Sequence, residues 1–127
     1  MREIKFRIFD KKRGKIFKAH DLRFTAEEAV YEVCHDTIRE DGGKHWTFTD
    51  FKEIILMQFT GLKDIEEKEI YEGDIVLGYN NPHVVAFSDS AFYLTYKNSS
   101  VRLSRTCGAL KIIGNIYENP ELTQTTS

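Results

Sequence analysis

The chain has 127 residues and a mass of 14.8 kDa, enough for one domain or for two small lobes sharing a core. With 41% hydrophobic, 13% aromatic and 30% charged residues, and a formal net charge of -2, it has the composition of a folded globular protein and lacks the overall basic field of a strong nucleic-acid binder. Its apolar runs, such as Ile54 to Met57, fall far short of the roughly 20 residues of a membrane span. The two cysteines, Cys34 and Cys107, form neither a disulfide framework nor a zinc pattern.

The N-terminal stretch Met1-Arg2-Glu3-Ile4-Lys5 mixes charged and apolar residues, unlike the continuous apolar region of a secretory signal. The expected setting is therefore the cytoplasm. Ile4, Phe6 and Ile8 alternate with Lys5 and Arg7, the period of a strand with one buried face, and Asp10 to Gly14 reads as a turn. Lys15 to Lys18 then returns as a second strand, making a basic hairpin. Residues 1–18 hold eight Lys and Arg against Glu3 and Asp10, a local charge of +6, whereas residues 19–41 carry -5.

Thr25-Ala26-Glu27-Glu28 has the form of a capping box, and Ala26, Ala29, Val30, Val33, Cys34 and Ile38 keep three- and four-residue spacing. This predicts an amphipathic helix from about residue 26 to 40, stopped by Gly42-Gly43, with one face packed and the other acidic. From Glu53 to Thr60 the chain is rich in β-branched and aromatic residues and predicts a buried strand ended by Gly61; a helical start near Thr49-Asp50 competes with it.

After Gly61 short strands are expected at 69–71, 74–79, 83–87, 92–96 and 111–117, separated by Glu72-Gly73, Asn80-Asn81-Pro82 and Ser88-Asp89-Ser90. Five strands at this spacing suggest a small barrel. Asn98-Ser99-Ser100 is expected to be a mobile loop and 123–127 a frayed tail. The chain thus divides into an N-terminal hairpin-plus-helix part at 1–53, a barrel part at 54–122 and the tail, all in one compact unit.

Leu56-Met57-Gln58-Phe59-Thr60-Gly61-Leu62-Lys63-Asp64, followed by Lys68-Glu69-Ile70-Tyr71-Glu72-Gly73-Asp74-Ile75-Val76, resembles the YopX family of phage and prophage proteins. The opening Arg2 to Asp10 and the closing Ile113 to Leu122 are similar too, with Phe9 where the family often has Trp. Ile65-Glu66-Glu67 replaces an Asn-Gly type of turn. The resemblance implies a phage or prophage origin in a bacterium and a roll similar to SH3 barrels in the C-terminal part. It brings no catalytic residues, because the family is one of unassigned function.

Residue chemistry gives no catalytic, cofactor or metal site. Cys34-His35-Asp36 is the one place where three reactive types adjoin, but adjacent helical residues point about 100° apart and Cys34 falls on the apolar stripe. His20, Asp21, His35, Asp36 and His45 match no ligand spacing. The loop carboxylates Glu66, Glu67, Glu69, Glu72 and Asp74 read as a solvated loop and a turn around Gly73. No phosphate-binding glycine loop occurs.

The most suggestive feature is the hairpin, where Lys5, Arg7, Lys11, Lys12, Arg13 and Lys15 are the candidate ligand-binding residues, with Lys18, Phe9 and Phe17 beside them. Such a strip could neutralise phosphates and stack bases, although lysines on an edge hairpin also guard against sheet-to-sheet pairing. The expected fold is mainly β with one helix and an SH3-like barrel. The expected function is that of a non-enzymatic binding module for a host or phage protein or nucleic acid, without cofactor, metal or membrane. The alternatives are a self-assembling homo-oligomer joining basic hairpin to acidic helix, and an enzyme of unrecognised type.

Overall fold

The structure is a computed structural model that describes residues 3–24, 30–38, 44–104 and 109–123. The alternation that opens the sequence becomes β1 (Phe6–Asp10), which turns at residues 11–14 and returns as β2 (Lys15–Phe24). The register Ile8↔Phe17 and Asp10↔Lys15 makes the expected basic hairpin. β3 (Val30–Ile38) and β4 (Lys44–Asp50) extend the ladder, and a 3-10 turn (Phe51–Glu53) leads into β5 (Ile54–Lys63). β5 closes back on β1, with Ile8 opposite Leu56. All these pairings are antiparallel.

The chain divides into two units, one on Lys5–Gln58 and the other on the residues up to Ile4 together with those from Phe59 onward. The first has the strand order β4-β3-β2-β1-β5. Its core is Ile8, Phe17, Val33 and Ile54, with Ala19, Leu22 and Leu56 packed around them. Each such aliphatic side chain, once buried, contributes roughly 1.5–3 kcal/mol.

In the second unit the end of β5 pairs with β6 (Glu69–Tyr71), placing Phe59 opposite Tyr71. β7 (Asp74–Gly78), β8 (Asn81–Ser88), β9 (Ala91–Tyr96), β10 (Ser99–Arg102) and β11 (Lys111–Asn115) form a five-stranded sheet of order β10-β9-β8-β7-β11. One face carries Val76, Val85 and Leu94, which pack with Ile70, Leu103 and Leu110. Gly78 lets Leu110 pack close, since a Cβ there would lie 2.5 Å from Leu110 Cδ2 and the leucine would have to shift. A second 3-10 turn, Pro120–Thr123, follows β11.

Two expectations are corrected. The predicted helix at 26–40 is not formed at 30–38, which is the strand β3; residues 25–29 and 39–43, with the capping box and the Gly42-Gly43 stop, lie outside the described residues. Val30, Val33, Thr37 and Ile38 are β-branched and suit a pleated surface better than a helix. β3 is flanked on both sides, Leu22↔Val33 and Val33↔Thr49, so every turn of helix would forfeit two ladders of hydrogen bonds. The acidic helix face expected at 26–40 is lost with it at 30–38.

The second correction is that the C-terminal strands do not close into a barrel. β10 and β11 stand at the two edges of the sheet, and β6, counted among the barrel strands from sequence, pairs with β5 instead. β10 itself occupies Ser99 and Ser100, where a loop was expected, because Ser99 to Arg102 pair with Tyr96 to Tyr93. The turn expected at 80–82 falls at Tyr79-Asn80, with Pro82 inside β8 opposite Leu77.

The loop after β5 is held by Asp64, a buried carboxylate. It accepts from the amides of Glu66 at 2.8 Å, Lys68 at 2.9 Å and, far along the chain, Ile112 at 3.0 Å. Gly73 takes the expected left-handed conformation at φ 89°, and Asp74 accepts from the Tyr71 amide at 2.8 Å. Replacing Asp64→Ala leaves three amides without their acceptor and is expected to cost about 2 kcal/mol or more in urea unfolding, with Asp64→Asn costing less. A loss within about 0.5 kcal/mol, the range of an ordinary surface change, would show that the loop holds itself.

Candidate functional site

The site is built at the β1–β2 turn. The turn reverses through Gly14, at φ 66°, whose amide donates to the Asp10 carbonyl at 2.7 Å. The Asp10 side chain, fully buried, accepts from the amides of Lys12 at 3.0 Å and Arg13 at 3.2 Å and from the Arg13 guanidinium. A second strap ties the turn to the 3-10 segment, where the Lys11 amide donates to the Glu53 carbonyl at 3.0 Å and Lys11 Nζ to the Lys52 carbonyl at 3.2 Å. Asp50 caps that segment by accepting from the Lys52 amide at 2.8 Å.

Between the turn, β4 and the 3-10 segment lies a cleft of about 470 Å³ lined by Asp10, Lys12, Arg13, Thr47 to Asp50, Lys52 and Glu53. Phe48 stays 48% exposed, although the Arg23 guanidinium lies 4.1 Å from its ring centroid. Arg23 is steadied in turn by Glu32 at 3.3 Å. Behind the wall, buried His35 stacks on Phe17 and its Nε2 lies 2.8 Å from the Thr49 hydroxyl. The cleft thus presents the Lys12 and Lys52 ammonium groups and the Thr47 and Thr49 hydroxyls, a set suited to a phosphate, while the Phe48 ring, opposite Cys34 in register, points to the other face of β4 beside Arg23.

Of the predicted residues, the structure brings Lys12 and Arg13 to this cleft and keeps Lys11 and Lys15 exposed on the same turn. Lys5 and Arg7 do not join them. Both are half-buried earlier in the chain, away from the turn, and Arg7 alternates to the sheet face opposite Asp10. Phe17 is a core residue and Phe9 is half-buried, so neither supplies an open stacking face. Sequence reading missed Phe48 and Lys52. The alternation Thr47-Phe48-Thr49 was the available signal, that of a strand presenting its ring to one side.

The other candidates separate. Cys34 is buried, as its apolar spacing implied, and on β3 it points away from the face that carries His35. His20 and Asp21 are exposed, while the side chains of Asp36 and His45 lie outside the described residues. Among the described residues no three His, Cys, Asp or Glu side chains come together as a metal site, and no helix is long and apolar enough to cross a membrane.

Burial by itself would raise the Asp10 pKa. Hydrogen bonds from the Arg13 side chain and amide, the Arg13 charge and the Lys12 amide outweigh it and hold the carboxyl below its ordinary value. The unfolded carboxyl titrates near about 3.9, so Asp10 stabilises the fold above that pH and the contribution is lost as pH falls through the lower folded value. In urea unfolding, Asp10→Asn is expected to be less stable than the parent at pH about 7, with the gap shrinking at pH about 3. A gap that stays constant would mean that the carboxylate charge does not hold the turn.

A protein-family model described as YopX protein matches residues 5–124. Among solved structures the chain is similar to protein EF1440 from Enterococcus faecalis, with a TM-score of 0.73 and 23% sequence identity over 98% of this chain and 100% of that one. That likeness supports the fold alone. A search of curated proteins found no match. Since the family model matches nearly the whole of this chain, the chain belongs to the YopX family.

Proposed function

We propose that this chain is a non-enzymatic binding module, a phage or prophage accessory protein acting in the bacterial cytoplasm, and that it takes single-stranded nucleic acid at the basic turn. The observation that carries the reading is the pair of exposed cations Lys12 and Lys52 on one cleft, with the exposed Phe48 ring on the other face of the strand that lines it. A ring stacks any base, and the ammonium groups neutralise the adjoining phosphates. Asp10, Asp50 and Glu53 line the same cleft, and the chain as a whole is acidic, so affinity is modest and salt-sensitive.

Fluorescence anisotropy of labelled single- and double-stranded DNA and RNA tests this. Two phosphate contacts, from Lys12 and Lys52, predict about sevenfold weaker single-strand binding on going from about 50 to about 200 mM salt. Lys11→Glu/Lys12→Glu/Lys52→Glu is expected to abolish binding, and Phe48→Ala to weaken single-strand binding about fivefold or more while sparing the salt slope. Arg13 is left in place because it holds Asp10. Absence of binding at low salt would turn the assignment toward a protein partner.

A further inference from the structure

The second unit carries, at one end of its five-stranded sheet, a run of ring contacts. Tyr79 meets His83 with ring centroids 5.9 Å apart at 70°, His83 meets Tyr96 at 5.5 Å, and Lys97 Nζ lies 5.4 Å from the Tyr96 centroid. The β7–β8 and β9–β10 turns share this end because β7 and β9 run in one direction on either side of β8. His83 is fixed in place. It is 6% exposed, and its Nδ1 lies 2.9 Å from the Asn81 carbonyl, which can only accept, so Nδ1 carries the proton. Tyr79, by contrast, is 57% exposed.

The backbone at this end is strained in a telling way. Tyr79 has φ 52° and Lys97 φ 51°, the left-handed region in which glycine and short polar residues are at ease. The hairpin turn at the opposite end, between β8 and β9, meets the same demand with Asp89 and Ser90. Two bulky residues, one in each of the two turns at this end, therefore hold strained positions where Asn or Gly would serve the turn better, and strain of this kind gathers at binding sites.

Charge points to the ligand. The segments from Tyr79 to His83 and from Tyr96 to Ser99 contain one cation, Lys97, and no carboxylate. Lys111, opposite Leu77 on the neighbouring β11, is engaged by Glu66 at 3.5 Å. An exposed ring joined through the His83 and Tyr96 rings to an ammonium group, in segments without carboxylates, fits a ligand that carries a π-face and a negative charge along its length. A nucleotide has both, whereas a proline-rich peptide offers no phosphate to the lysine.

We propose that the rim formed by Tyr79, His83, Tyr96 and Lys97 is a nucleobase-stacking site for single-stranded nucleic acid. Tyr79 offers its ring to the base, Lys97 pairs with the adjoining phosphate, and His83 and Tyr96 hold the two in position. The proposal rests on the reading of the chain as a nucleic-acid binder but uses a separate set of residues, so each can fail without the other.

The test is an NMR titration of the ¹⁵N-labelled full chain with thymidine and uridine oligonucleotides of about six nucleotides, an abasic oligonucleotide of equal length and a polyproline peptide. Base-bearing oligonucleotides are expected to shift the amides of Tyr79, Asn80, Tyr96 and Lys97, and the abasic chain is not. Amides of residues 11–13 and 47–52 report the basic turn independently. Tyr79→Asn and Lys97→Gly are expected to leave the thermal midpoint unchanged or raise it, since each relieves strain, while weakening binding at the rim about fivefold or more. A rim that only supports the fold gives the reverse, a lower midpoint with affinity retained. The proposal is overturned by that result, by rim amides that stay unmoved by base-bearing oligonucleotides, by equal shifts from the abasic chain, or by shifts from polyproline alone.

Discussion

The constraint on which the rest depends is that backbone hydrogen bonds must be found between strands, because the described residues contain only 3-10 turns as helix. A one-residue slip in any strand would move its whole buried set to the other face, so register must be pinned where the chain turns. Buried polar side chains do this. Asp10 fixes the β1–β2 turn, Asp64 the loop after β5 and its tie to β11, Asp74 the approach to β7, and Asn115 the reversal after β11 by accepting from the amides of Tyr117 and Glu118. Each is a short acceptor that satisfies amides the ladders cannot reach.

This economy shapes the candidate site. Arg13 is one of the cations that make the hairpin look like a phosphate-binding strip, yet its guanidinium is committed to Asp10 and serves the turn. Lys11 is likewise drawn onto the Lys52 carbonyl. What the cleft offers a ligand comes from Lys12 and Lys52, and the Phe48 ring stands on the other face of its β4 wall; Phe48 and Lys52 lie about forty residues away from the hairpin in sequence. The site is thus a product of β4 and the 3-10 segment folding against the turn.

The two proposed surfaces differ in how they are held. The basic turn is relaxed, with a glycine at its left-handed position and a buried carboxylate beneath it. The rim in the second unit instead places Tyr79 and Lys97 in backbone conformations that suit neither.

The sequence by itself determined the β1–β2 hairpin, the strand from Ile54, the short strands β6 to β9 and β11, and the Gly73 turn, because period-two alternation and glycine punctuation are local signals. It also placed Cys34 in the interior, since apolar spacing reports burial whatever element carries it. Only the tertiary structure decided that 30–38 is a strand. Val30, Val33, Cys34 and Ile38 satisfy a helical period, and the ladders to β2 and β4, invisible locally, outweigh it. The same holds for the open sheet, since the pairing of β6 with β5 is a long-range choice that short-strand spacing cannot express. The cleft and the rim were hidden for the same physical reason: each joins residues from turns that are brought together by register, and register is fixed by partners far along the chain.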